Sequence, residues 1–144
     1  MRVQLWIIYA SVTAVFLAVA DCFIKLAAGR ISSSLGLLVY GGCTFATGLV
    51  WVFSQRLQNI PLNTDLLGFF YALGVGVSFS AVTIGLYATF NAGAPISLAS
   101  PLVRLGGLVV ASIVGFVLFR EGLTVRYIAG MLLVFLGLYF ILTK

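Results

Sequence analysis

Two residues of opposite charge stand where an apolar sequence tolerates charge least. Asp21 lies in Leu17-Ala18-Val19-Ala20-Asp21-Cys22-Phe23, and Arg104 in Leu102-Val103-Arg104-Leu105-Gly106. Three acids and eight bases are all that the 144 residues contain, so neither belongs to a charged surface. An ionisable group in a bilayer costs about 3 kcal/mol or more, and such groups line an interior or a pathway. A carboxylate and a guanidinium at that depth can hold a polar solute, or they can hold each other. Ser100 and Ser97 precede Arg104 by one and two helical turns and offer hydroxyls on its face. Pro101 has no N–H, which frees the carbonyl of Ser97 and sets a hinge beside the polar cluster.

Other chemistries are short of parts. There is no histidine, so Cys22 and Cys43 have nothing to join them in metal ligation or in Cys–His catalysis. Both cysteines read as small, soft core residues. No nucleophile–base pair and no second membrane carboxylate are present, so an enzyme is not expected, nor a metal or a cofactor. The net charge of +5 does not point to nucleic acid. Its basic residues are single and scattered near helix ends, where they anchor spans to lipid headgroups.

The elements that carry these residues are membrane helices. The sequence is 62% hydrophobic and 8% charged, against about 25% charged in a soluble domain. Charges and breakers divide it into spans of about 5–28, 35–54, 66–90, 95–119 and 125–142, one all-α transmembrane domain. Gly29-Arg30 ends the first span, and Ser32-Ser33-Ser34 opens the second. Asn63-Thr64-Asp65 is a cap signal for the third. Asn91-Ala92-Gly93-Ala94-Pro95 breaks an uncharged stretch too long for one span. Arg120-Glu121-Gly122 closes the fourth. The first apolar stretch exceeds signal-peptide length and reads as a retained helix.

An odd number of spans puts the two termini on opposite sides. The amino-terminal side then carries Arg2, Arg56, Arg120 and Arg126, and the other side Lys25, Arg30 and Lys144. So even a balance gives little orientational preference.

Four spans have a polar face. In the first it collects Ser11, Ala14, Ala18, Asp21 and Lys25; in the second Tyr40, Thr44, Thr47 and Trp51; in the third Ser80, Thr83 and Tyr87. In the fourth it collects Ser97, Ser100, Arg104, Gly107 and Ala111. Hydroxyl and small residues also serve plain helix packing; the two charges need a further reason. At 1.5 Å per residue Asp21 lies about 12 Å from the end of its span and Arg104 about 13 Å from the start of its own, on the same side. Gly107, Ala111 and Gly115, with Gly130 and Gly137 in the last span, form small-residue faces suited to helix or dimer packing. That last span has almost no polar residue between Tyr127 and Tyr139 and is expected to face lipid or another subunit.

The stretch Ala94-Pro95-Ile96-Ser97-Leu98-Ala99-Ser100-Pro101, then Phe119-Arg120-Glu121-Gly122-Leu123-Thr124, then Ile128-Ala129-Gly130-Met131-Leu132-Leu133 and Gly137 resembles the EamA-like half of the drug/metabolite transporter superfamily. The closing span is similar to that of small multidrug resistance proteins, and Ile24-Lys25 resembles the superfamily's first-helix signature. The resemblance implies one five-helix repeat, pairing as an antiparallel homodimer around a substrate cavity. It departs at one point. Small multidrug resistance proteins have a glutamate eight residues before the lysine, where this sequence has Leu17; its acid is Asp21, one turn later. Glu121, which matches the family glutamate, sits beside Arg120 and reads as a loop cap or local ion pair.

Together these readings lead to one expectation: a small secondary transporter or exporter of a polar or amphoteric, amino-acid-like metabolite. It would work by alternating access as a homodimer, with dual topology, in a prokaryotic cytoplasmic (inner) membrane. Asp21 and Arg104 would form the floor of the cavity, with Ser97, Ser100, Pro101, Thr44 and Tyr87 around it. Its partners would be a second copy, membrane lipids and a small-molecule substrate. A lipid-linked sugar flippase subunit and a non-transporting membrane scaffold are the alternatives.

Overall fold

The computed structural model describes residues 2–62, 65–120, 122 and 124–143, with side chains from Leu5 onward. They form five α-helices: α1 Arg2–Ala27, α2 Ser33–Leu57, α3 Leu66–Asn91, α4 Ile96–Leu118 and α5 Val125–Leu142. No β-strand occurs among the described residues; an isolated bridge joins Ala28 and Ile31. All five helices are long and apolar enough to cross a membrane, and the protein is a multi-pass, all-helical membrane protein. Even α5, with 18 residues, reaches about 27 Å, close to the hydrocarbon thickness of about 30 Å. Helices are the outcome because lipid offers no partner to a backbone N–H or carbonyl, so each segment must satisfy its own.

The breakers act where the sequence places them. Gly29 and Gly93 take φ of 77° and 90°, a left-handed conformation that favours glycine. Ser32 caps α2 by accepting from the Leu35 N–H at 3.4 Å. Most boundaries shift by one to three residues from the expected spans. The second helix continues past Ser54 to Leu57, because Gln55 and Arg56 are good helix formers and Arg56 suits a last turn. Pro95 caps α4 from outside it, and Leu118 is the last helical residue of α4. Beyond that end, Arg120 turns the chain with a φ of 52°. Asp65 stands at the N-cap of α3 without a side-chain hydrogen bond. The cap readings for Asn63 and Thr64, and those for Glu121, lie outside the described residues.

The chain forms two compact units. The first holds α1 through Asp21 together with α4 and α5; the second holds the end of α1 from Cys22 with α2 and α3. In the second unit Gly36 of α2 is buried beneath Tyr87 of α3, and Thr83, Leu86 and Phe90 are buried along the same helix. Asn91 Nδ2 donates to Ser33 Oγ at 3.1 Å, and Lys25 Nζ stands 5.4 Å from the centre of the Phe90 ring, within cation–π range. In the first unit Ala99 and Gly115 of α4 are buried. Ser112 donates to the Leu108 carbonyl. That leaves the Tyr127 hydroxyl of α5 to donate to Ser112 Oγ.

Most large apolar side chains, among them Phe16, Leu38 and Phe45, are exposed. In water this would drive aggregation, whereas hydrocarbon tails are as apolar as the side chains themselves. Both cysteines are exposed as well, which corrects their reading as core residues. In lipid a small apolar residue has no reason to turn inward.

Candidate functional site

Asp21 is the most completely buried large side chain of the described residues, with 2% of its side chain exposed. Arg104 Nη2 donates to its Oδ1 at 2.7 Å, and Ser100 Oγ donates to its Oδ2. The two charges of the sequence are therefore one ion pair, joined through the first unit. With α1 ending at Ala27, Asp21 lies about 9 Å from the helix end and Arg104 about 12 Å from the start of α4. Asp21 is thus slightly shallower than the sequence spacing suggests, because α1 ends at Ala27 in place of Ala28.

Local geometry explains how α4 makes both bonds. Ser97, Ser100 and Arg104 share a helical face. Helix side chains lean toward the N-terminus, so the Arg104 guanidinium reaches back over the turn that holds Ser100, and both meet the same carboxylate.

Ser100 stands out among the membrane hydroxyls. Ser11, Thr13, Thr44, Thr47, Ser80, Thr83, Thr89 and Ser112 each donate to the carbonyl four residues earlier on their own helix. A hydroxyl bonded in this way needs no partner on another helix. The serine and threonine hydroxyls on the polar faces of α2 and α3 are thus satisfied locally, whereas Ser100 donates across to α1. Pro101, one residue on, is half-buried within α4.

The remaining candidate residues are placed as follows. Ser97 is exposed on the face it shares with Arg104. Thr44 is exposed and bonded to the Tyr40 carbonyl, and Tyr87 is buried over Gly36; both belong to the second unit. Gly115 is buried. Gly107, Gly130 and Gly137 border open space, where an added Cβ would meet nothing within 4 Å, and Ala111 is exposed. Within one chain these three glycines are not at helix contacts.

The glycine that does make a close contact is Gly36, which the sequence reading passed over. A Cβ there would sit 2.8 Å from Tyr87 Cε2 and closer still to the hydroxyl end of the ring. Nothing in the spacing of sixteen glycines singles it out. The Ser112–Tyr127 bond was also unforeseen, as was the stacking of Lys25 on Phe90. An open, largely apolar groove of about 240 Å³ runs beside Ser112 and Tyr127, lined by Val109, Ile113, Phe116, Ile128 and Met131. It offers acyl-chain contact and no charge. Among the described residues no cluster of His, Cys, Asp or Glu could hold a metal ion.

No protein-family model, curated protein or solved structure matches the chain.

Proposed function

We propose that the protein is a small secondary transporter of a polar or amphoteric metabolite. In this reading it is one EamA-like repeat of the drug/metabolite transporter superfamily, pairing with a second copy in antiparallel orientation in a prokaryotic cytoplasmic membrane. The observation that carries the reading is the Asp21–Arg104–Ser100 cluster, set beside a helix-interior proline. A membrane protein that needed only to fold would place leucines there, since apolar replacement of a buried ion pair is often neutral or stabilising. Polar groups kept at such depth belong to solute and ion pathways. Pro101 adds a freed carbonyl and a place where α4 can bend, a hinge that alternating access can use. The exposed face holding Ser97 and Arg104 then meets the cavity shared with the second copy.

Uptake into proteoliposomes tests the reading. Purified protein reconstituted at known orientation should accumulate labelled amino-acid-like solutes above protein-free vesicles, and the variant Asp21→Leu with Arg104→Leu should not. Equal accumulation by protein-containing and empty vesicles across polar solutes would leave the scaffold alternative standing.

A further inference from the structure

The ion pair is closed on one side and open on the other. Asp21 has both carboxylate oxygens engaged, Oδ1 by Arg104 and Oδ2 by Ser100, and 2% of its side chain is exposed. Arg104 has 33% of its side chain exposed, and among the described residues Nη2 is the nitrogen that holds a partner. A guanidinium carries five donors in a planar fork, and one carboxylate oxygen occupies a single tine. An incoming solute therefore meets unfilled N–H donors and positive charge, with the carboxylate screened behind them. The exposed hydroxyl of Ser97 lies on the same face of α4.

We propose that the free edge of Arg104 binds an oxyanion, a carboxylate or a phosphate, and that Asp21 and Ser100 are positioning residues that grip the guanidinium from its other side. The inference rests on the transport reading and names the part of the substrate that the site recognises. Planar two-oxygen anions match the arginine fork with two parallel hydrogen bonds. A cationic group finds no such fit, because it meets a guanidinium and a carboxylate without an open oxygen. The membrane strengthens the argument. Asp21 already balances the charge of Arg104, so what the open edge lacks is acceptors: an N–H without a partner is costly where lipid offers none, and a bound oxyanion supplies them.

The test uses the full chain in a non-ionic maltoside, which carries no oxyanion, and follows thermal unfolding with leucine, leucinamide, isocaproate and inorganic phosphate. A ligand of the folded state raises the melting temperature by mass action. Leucine and isocaproate, which keep the carboxylate, or phosphate, should raise it, and leucinamide, which lacks the carboxylate, should not. Asp21→Asn with Arg104→Gln removes both charges and keeps hydrogen-bonding groups in place; it should lose the anion-dependent shift. Arg104→Lys keeps the pair with Asp21 but lacks the fork, so it should lose the shift as well and covers the case in which the double variant does not fold. A shift obtained on adding phosphatidylglycerol to the maltoside micelles without soluble anion, and abolished by the same variants, identifies the oxyanion as a lipid phosphate; shifts with soluble anions identify a free solute. Absence of a shift with every anion and with phosphatidylglycerol overturns the proposal, as does a shift that survives in both variants. Stabilisation and uptake of leucinamide without any anion effect would also overturn it while leaving the transport reading intact.

Discussion

At the scale of single residues, the cluster around Asp21 was legible because charge in an apolar run is rare enough to need no structural context. Asp21, Arg104 and Ser100 meet in the structure; their types and depths allowed the two charges to pair and equally allowed each to face a solute. Thr44 and Tyr87 show the limit of the same reading. A hydroxyl on a polar face can return its proton to its own helix, as Thr44 does to Tyr40, and nothing in periodicity distinguishes that from a bond to a solute. The pair makes a sharp prediction about stability. Arg104→Leu alone leaves Asp21 as a buried charge with one hydroxyl partner and should destabilise by about 3 kcal/mol. Asp21→Leu combined with Arg104→Leu should recover most of that loss, because two apolar side chains need no partners. Reversible unfolding in detergent measures both. If the double variant is as unstable as the single one, the cluster is holding α1 to α4 in a way that packing cannot replace.

At the scale of helices, the breakers were readable and the contacts between helices were not. Gly29, Gly93 and Pro95 end or begin elements through backbone geometry alone, which sequence carries directly. Which faces of two helices touch is a different matter. The polar stripes point to part of the answer, since Thr83 and Tyr87 of α3 are buried, but the rest of each helix is apolar and no pattern there declares which residue of the neighbouring helix lies opposite. Gly36 became a contact because Tyr87 lies across it, and Gly107, Gly130 and Gly137, although at suitable spacing, border open space within the chain. Gly36→Ala should therefore destabilise by about 1–3 kcal/mol through overpacking. Tyr87→Leu in the same chain should restore much of the loss by removing the ring that the new methyl strikes. Unfolding of the two variants side by side decides it; an unaffected Gly36→Ala would mean that the Tyr87 ring moves aside without penalty.

At the scale of the whole molecule, the number of spans and the membrane class were evident from composition and charge spacing, while what covers each apolar face was not, because a surface built to meet lipid and one built to meet a second copy are both apolar. Gly107 and Gly137 bear on that distinction. Since a Cβ at either would meet nothing in the chain, Gly107→Leu and Gly137→Leu should leave the unfolding of the single chain nearly unchanged and weaken self-association in detergent, if these faces meet a second copy as proposed. Unaltered dimerisation, measured by light scattering, would assign both faces to lipid. The orientation of the proposed pair rests on the basic residues. Arg56, Arg120 and Arg126 with Arg2 stand against Lys25, Arg30 and Lys144, and only bases near the span ends bias insertion. A margin of one charge should let the chain insert both ways, which an antiparallel pair of identical chains requires. Reporters fused after Lys144, one active on each side of the membrane, should both give signal. Replacing Lys25 and Arg30 with glutamine moves the balance to four against one. It should collapse the signal to the orientation in which Arg56, Arg120 and Arg126 are cytoplasmic, with Asp21 and Arg104 untouched. Transport should then fall along with the lost orientation, and co-expression of a chain biased the other way should restore it. A wild-type chain that reports from one side alone would exclude the antiparallel homodimer and require a second, oppositely oriented protein to complete the cavity.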